Sequence, residues 1–376
     1  MTVSDNKNCC GCQACADICP VEAIGFCDDS LGFLWPVVDK GICIGCGKCI
    51  RNCPEHIDIM DTEHELKCYY GYTSNNEDLC KSSSGGFAAA IANQIIGYGG
   101  VVYGVSYTSD FYKAEHIRID NPNELVKIQG SKYIMANNRN MFARIKEDLK
   151  RGKKVVFFGL PCEAAAVRIQ NPNMENLFIC EMVCHGPTSN RVLSEYVKFM
   201  EGKNRNSKVI EFNCRYKKDK QWSPPYIRIK FSNGKEHLQK LYDSEFGDGF
   251  CNIARDRCYS CRFKIQHSLA DITCGDFWSV KSDQAGYNPL GTSMVIVHTS
   301  QGEKLIKNNN EFELYETTLD CVIKDNDDVV ESRKSRKDRS QWENTFRKND
   351  LIKTYYKTRS IKSLIGITAK KLGLIN

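Results

Sequence analysis

Two cysteine runs near the start of the chain repeat one spacing, and they limit what it can fold into more than anything else in the sequence. Cys9, Cys12, Cys15 and Cys19 stand in CCGCQACADICP, and Cys43, Cys46, Cys49 and Cys53 stand in CIGCGKCIRNCP. Each run reads C-x2-C-x2-C-x3-C-P, the bacterial ferredoxin pattern for a 4Fe–4S cluster. Each iron corner of a cubane takes one soft thiolate. Three closely spaced cysteines on a looping backbone hold three corners. The fourth, followed by Pro20 or Pro54, leaves that loop and reaches the other cluster. The expected ligand sets are therefore Cys9, Cys12 and Cys15 with Cys53, and Cys43, Cys46 and Cys49 with Cys19. Cys10 falls at an x position and is not expected to be a ligand. The competing reading is zinc or disulfides, but zinc sites usually use two CxxC pairs rather than three cysteines and a Cys-Pro. A cluster pair implies that the chain passes electrons one at a time.

The chain has 376 residues, enough for two or three domains, and 21 cysteines. Its first residues are polar with no apolar core of a signal peptide, and no stretch approaches the ~18 apolar residues of a membrane span. Cysteines without an export signal point to the cytoplasm, with thiols committed to metals rather than disulfides. Charge is uneven. The formal net charge is +6, yet residues 331–376 alone carry 13 Lys/Arg against 4 Asp/Glu, leaving −3 for the rest. Each oxidised cluster with four thiolates would add about −2 to that acidic body. A basic tail can bind nucleic acid or an anionic membrane, but it more often forms a solvated or partner-docking helix. With no helix-turn-helix or RNA-binding motif, nucleic acid is not an expected partner.

The cysteine repeat ends near Met60, which sets a first domain at 1–62. It is too small to bury much apolar core, so bound clusters would supply stability. After the charged stretch DTEHELK, strands and helices alternate through a second domain at 67–325. YYGYTS, VVYGVSY and KKVVFFG read as strands, and SSSGGFAAAIANQIIGYGG as a loop, a helix and a glycine stop. Phe142, Ile145 and Leu149 share a helix face, as do Leu193, Tyr196, Val197 and Met200. Pro161 suits the first turn of a helix in LPCEAAAVRI. NLFICEMVCHG reads as strand and loop, VIEFNCRY and YIRIKF as an antiparallel pair, and MVIVHTSQGEKLIKN as strand, turn and helix. Such alternation argues an α/β domain. The basic segment 326–376 is expected to be helical, with Leu364, Ile365 and Ile367 on its apolar side.

Three loops of the second domain could hold chemistry. SSSGG, Ser82 to Gly86, enters a helix and suits a phosphate, although serine before a helix is often only a cap. QGSKY, Gln129 to Tyr133, offers Lys132 to a phosphate and Tyr133 to a ring. GLPC, Gly159 to Cys162, follows a buried-type strand, where open α/β sheets place ligands. Cys162, Cys184 in CHG, and Cys258 and Cys261 in CYSC supply four further soft ligands for a third 4Fe–4S cluster or a zinc; two clusters already in the chain favour iron. Cys27, Cys68, Cys80, Cys180, Cys214, Cys251, Cys274 and Cys321 lack partner spacing and read as small buried hydrophobes.

The order of a ferredoxin repeat, SSSGG, QGSKY, GLPCEAA, CHG, RDRCYSCRFK and ADITCGDFW resembles the beta subunits of coenzyme F-420-reducing hydrogenases and dehydrogenases, from about Cys9 to His298. The resemblance implies an α+β ferredoxin-like module with two 4Fe–4S clusters followed by a larger α/β flavin-binding domain. It implies FAD beside an iron–sulfur cluster, exchanging a hydride with a deazaflavin or another organic substrate. Ser84, Gly85 and Gly86 would meet flavin phosphates. Gln129, Ser131, Lys132 and Tyr133 would line the flavin, and Gly159 and Pro161 would pass near its ring. Cys162, Cys184, Cys258 and Cys261 would hold the third cluster, and His185 and Asp276 would stand near the reactive face. A ferredoxin or another low-potential donor would feed the clusters. The alternative is an electron-transfer subunit without its own substrate site, within a larger complex. The assembly stays open between a partner subunit and a homo-oligomer.

Overall fold

The computed structural model describes residues 3, 8–59 and 66–359. The N-terminal segment holds two one-turn helices, α1 (Ala14–Asp17) and α2 (Lys48–Arg51), and between them the antiparallel hairpin of β1 (Ile24–Asp28) and β2 (Leu34–Val38). The sequence repeat is also a backbone repeat. Gln13 before α1 and Gly47 before α2 are both left-handed, at φ 66° and 68°. The amides of Cys19 and Cys53 donate to the carbonyls of Ala16 and Ile50, both at 3.1 Å. One local sequence has thus written one loop conformation twice.

The rest of the chain builds a nine-stranded mixed sheet. Its first six strands are β3 (Lys67–Thr73), β4 (Val101–Tyr107), β5 (Ala114–Ile119), β6 (Ala136–Asn137), β7 (Val155–Gly159) and β8 (Leu177–Met182). Next comes a separate antiparallel sheet of β9 (Val209–Tyr216), β10 (Tyr226–Phe231) and β11 (Glu236–Lys240), in which VIEFNCRY and YIRIKF pair as expected. The chain then returns to the large sheet with β12 (Ile272–Asp276), β13 (Ser293–Val297) and β14 (Phe312–Thr317), which the short helix α10 (Leu319–Ile323) follows. The spatial order is β14-β3-β13-β12-β8-β7-β4-β5-β6, and the central four strands from β12 to β4 are parallel.

Both faces of that central quartet are covered, which is why VVFF reads as an unbroken apolar run. Val155 and Phe157 enter one core with Val101, Tyr103, Leu177 and Ile179. Val156 and Phe158 enter the opposite core with Val102 and Cys180. Helices α5 (Met141–Lys150) and α6 (Pro161–Gln170) cover the first face. Helices α4 (Phe87–Gly97) and α9 (Ser300–Lys307) cover the second, with α3 (Asn76–Lys81) preceding α4.

The N-terminal segment is bolted to this body. Asp17 caps α5, accepting from the amides of Asn140 at 2.9 Å and Phe142 at 3.0 Å. Gln13 donates to the Ala136 carbonyl at 2.9 Å, and Arg257 pairs with buried Glu55 at 2.8 Å. The basic segment is helical where described, but its apolar side is not solvated. Trp342 and Phe346 of α11 (Arg339–Lys348) and Leu351 and Tyr355 of α12 (Leu351–Lys357) are buried against α7 (Asn190–Lys203) and α8 (Glu245–Asn252). Leu364, Ile365 and Ile367 lie outside the described residues.

Candidate functional site

A cavity of about 640 Å³ opens at the carboxyl ends of the central parallel strands, where open α/β sheets bind ligands. Gly159 at the end of β7 with Leu160 after it, Val183 to His185 after β8, and Gly275 and Asp276 at the end of β12 form its floor. Gly86 and the first residues of α4 form one wall, and the Gln129–Tyr133 loop lies beside them. The serines do not cap α4: no side chain bonds its first-turn amides. Ser83 instead pairs with Ser131 at 2.9 Å, and Ser84 donates to the Thr292 carbonyl at 2.8 Å. The positive end of an eleven-residue helix therefore faces the cavity uncapped.

Charge in the cavity is organised by Arg215 of β9. It donates to both carboxylate oxygens of Asp276, each at 2.9 Å, to the Tyr133 hydroxyl at 3.0 Å and to the Ser83 carbonyl at 2.9 Å. Lys132 is buried with its ammonium on the carbonyls of Gln129 and Gly130, at 2.7 and 3.0 Å. Burial lowers its pKa to about 7. Burial and the neighbouring Arg215 bring Lys217, which donates to the Ser84 carbonyl, to about 7 as well. Two buried polar atoms of the lining, Gln129 Oε1 and Arg215 Nε, have no partner among the described residues. Buried polar atoms are normally satisfied, so a polar ligand suits this lining. His185 is half-exposed, and its Nδ1 meets Asp328 at 2.9 Å.

The cysteines fall into neighbouring groups. Cys9, Cys12, Cys15 and Cys53 surround one small enclosed gap, together with Cys10. Burial pushes the Cys15 thiol up, and the Cys9, Cys53 and Cys49 thiols push it further, so the last two cysteines of the second run lie near the first. Cys46 is exposed. On the body side, burial raises the Cys184 thiol, with Cys258 and Cys261 adding to it. Gly186, at φ 94°, lets the CHG loop press on the CYSC turn: a Cβ there would sit 3.0 Å from that of Cys258. Cys10 joins the groups, its thiol hydrogen-bonded to both Cys12 and Cys162. Among the described residues no three His, Cys, Asp or Glu side chains converge on a point for a single metal ion. Four sulfurs around one zinc stand about 3.8 Å apart, from a Zn–S distance of about 2.3 Å, whereas a cubane gives each thiolate its own iron.

Two models of one family, the coenzyme F420 hydrogenase/dehydrogenase beta subunit, match the chain. The model of the family's N-terminal part covers residues 68–143, and that of its C-terminal part covers residues 152–319. The chain belongs to this family. The beta subunits of these hydrogenases and dehydrogenases are parts of oxidoreductases. A search of curated proteins found no match. Among solved structures, the chain is similar to one in a xenon-derivatised F420-reducing NiFe hydrogenase complex from Methanosarcina barkeri. Identity is 15%, coverage 76% of this chain and 93% of that one, and the TM-score 0.49.

The two matched segments meet at the cavity. The first supplies Ser84, Gly86, Gln129, Ser131, Lys132 and Tyr133, and the second Gly159, Cys184, His185 and Asp276. Gly85 and Pro161 are not on its wall. A Cβ on Gly85 would meet the Gly71 carbonyl oxygen at 2.4 Å and the Ser293 amide at 2.6 Å, so this glycine lets its loop pack closely on β3 and β13. Pro161 opens α6 behind the floor, where Glu163 accepts from the Leu160 amide at 2.9 Å. Of the cysteines read as buried hydrophobes, Cys68, Cys180, Cys214 and Cys274 are buried. Cys27, Cys80 and Cys321 are exposed, and Cys251 lines the cavity. Sequence reasoning missed Arg215, Glu163, Trp278 and Asp328. Arg215 left no signal that separates it from Glu211 and Asn213 on the same alternation of β9; only its burial does so.

Proposed function

We propose that this beta-subunit homologue is an iron–sulfur flavoprotein oxidoreductase that couples one-electron transfer through its N-terminal cysteines to two-electron chemistry on an organic substrate in the cavity. The observation that carries the reading is spatial continuity: from Cys49 of the second run, cysteine groups succeed one another through Cys15, Cys10 and Cys162 to Cys184 on the cavity wall. Cys9, Cys12, Cys15 and Cys53 would hold one 4Fe–4S cluster, and Cys43, Cys46, Cys49 and Cys19 the second. Cys162, Cys184, Cys258 and Cys261 would hold a third.

A bound FAD would supply the conversion between single electrons and hydride. The chain's own part is binding and orientation. The uncapped end of α4 and Lys132 suit a diphosphate. Arg215 holds Asp276 and Tyr133 in fixed positions, and the apolar lining from Phe87, Ile128, Phe158 and Phe250 excludes water. The substrate is a deazaflavin or another small organic acceptor, and a ferredoxin-like protein is the expected donor. The family's standing as a subunit favours a second reading, an electron-transfer subunit that needs partner chains for turnover.

Iron, sulfide, zinc and flavin analysis of anaerobically purified protein tests the reading. About twelve irons and one FAD per chain would support it. Eight irons with one zinc would make the third site structural, and eight irons without flavin would refute the flavoprotein reading. Turnover by the single chain with a low-potential dye separates the enzyme from the subunit.

A further inference from the structure

Three buried cations stand at the Cys162, Cys184, Cys258 and Cys261 group, Arg255 between it and the first cysteine run, and none has a carboxylate bonded to it among the described residues. Arg255, Lys264 and Arg333 are 2%, 8% and 3% exposed. Lys264 donates to the Cys184 and Asp328 carbonyls at 3.1 and 2.6 Å. Arg333 donates to the Gly186 carbonyl at 3.0 Å and the Phe250 carbonyl at 2.7 Å. Arg255 reaches the Cys9 carbonyl at 3.5 Å and the Leu34 carbonyl, with the Trp35 ring 4.4 Å away. The other buried guanidinium of the site, Arg215, has Asp276, and Arg257 has Glu55. Carboxylates facing the cysteine group are already engaged: Glu55 with Arg257, and Glu163 with His116. Asp328 feels Lys264 and Arg333 at longer range, but its oxygens are taken by His185.

Carbonyl oxygens hold a cation in place but leave its charge uncompensated, and a buried charge without a counter-charge is strongly unfavourable. Glu181 also feels Lys264, but it sits on the Ser268 and Thr273 hydroxyls and burial raises its pKa to about 7. Neither carboxylate is bonded to one of the three cations, and the groups left to balance them are the thiols. The cations are placed against the loops that carry those thiols: Lys264 on the Cys184 carbonyl at 3.1 Å, Arg333 on the Gly186 carbonyl at 3.0 Å where that loop meets Cys258, and Arg255 through its own carbonyl, which accepts from the Cys258 amide at 3.0 Å. Gly11 shows how closely Arg255 is fitted: at φ 82°, a Cβ there would meet its Nε at 2.7 Å.

We infer that Arg255, Lys264 and Arg333 form a positive cradle for a dianionic iron–sulfur centre on these four cysteines, and that they hold its reduction potential up. The inference rests on the third-cluster reading above. Reduction adds one electron and one negative charge to the centre, and a fixed buried cation stabilises the more negative state. Net charge and solvent exposure are among the quantities that set such potentials. The second N-terminal site, with exposed Cys46 and the exposed Arg51, has water rather than buried cations around it. Electrons entering there would run downhill to the centre beside the cavity.

The test is a potentiometric titration followed by electron paramagnetic resonance on the anaerobically purified full chain. Lys264→Met and Arg333→Met should each lower the third centre's potential by at least a tenfold change in its one-electron equilibrium constant, about 59 mV. The exposed second cluster should not move. Lys264→Arg and Arg333→Lys keep the charge and should keep the potential. An equal shift in charged and neutral variants, or no shift in either, would overturn the cradle. If the neutral variants do not fold, the wild-type order decides: a third centre titrating above both N-terminal clusters supports the inference, and any lower position overturns it. A zinc in place of the third cluster, seen in the metal analysis, overturns the redox role and identifies the failure as one of the underlying reading.

Discussion

Replacing Lys132 by methionine should stabilise the ligand-free protein in mild acid and lose that advantage in alkali. Burial lowers this lysine from 10.5 to about 7. Between those values the unfolded chain binds more protons than the folded one, so the wild type gains stability as pH rises through that window. At 1.36 kcal/mol per pH unit, the penalty for burying the charge is about 5 kcal/mol at pH 6 and about 2 kcal/mol at pH 9. Methionine removes the penalty but takes away the hydrogen bonds to the Gln129 and Gly130 carbonyls, about 1 kcal/mol each. The variant should therefore be about 3 kcal/mol more stable at pH 6 and near parity at pH 9. Urea denaturation at the two pH values measures this directly. A stability difference that does not change with pH, or a variant less stable at pH 6, would refute a buried ammonium without counter-charge. On the proposed flavoprotein reading, the same variant should bind FAD roughly tenfold more weakly or worse, because a charge-assisted bond to phosphate would be lost. A residue that destabilises the empty protein and strengthens binding is what a ligand site would select.

Cys53→Ala should remove about four irons per chain while leaving the second run's cluster, because Cys53 borders the gap shared with Cys9, Cys12 and Cys15; iron analysis with paramagnetic resonance reports it. Arg215→Met should leave Asp276 without its bidentate partner and cost about 3–5 kcal/mol, read as a fall in the thermal midpoint. Asp276→Asn should cost less, since hydrogen bonds to Arg215 can persist. Trp342→Ala should cost about 3–5 kcal/mol by opening a cavity in the core, which denaturant titration would show; a negligible loss would mean that α11 is not part of the folded body.

Much of the fold was legible because its signals are local. The strand VVFF buries both faces, so its composition alone betrays a central position. The cysteine spacing dictates a loop, and the loop recurs in the backbone, left-handed residue for left-handed residue. The C-terminal segment was read less well. Its 13 basic residues advertised a solvated surface, while Trp342 with Phe346 and Leu351 with Tyr355, each pair four apart, carried the buried stripe.

Spacing along the chain determined which cysteines can share a cluster, where strands and helices alternate, and that phosphate-friendly loops precede or follow them. Those properties depend on neighbours a few residues away. Which loops share one cavity, that Cys10 joins two cysteine groups, and that Arg215 holds Asp276 were decided by tertiary structure. So was the gathering of Arg255, Lys264 and Arg333 around four thiols. Arg255 and Lys264 stand three residues from Cys258 and Cys261, but the other partners lie tens to hundreds of residues away, and a lysine or arginine reads the same in sequence whether water or a buried anion balances it. Only burial makes the missing counter-charge visible.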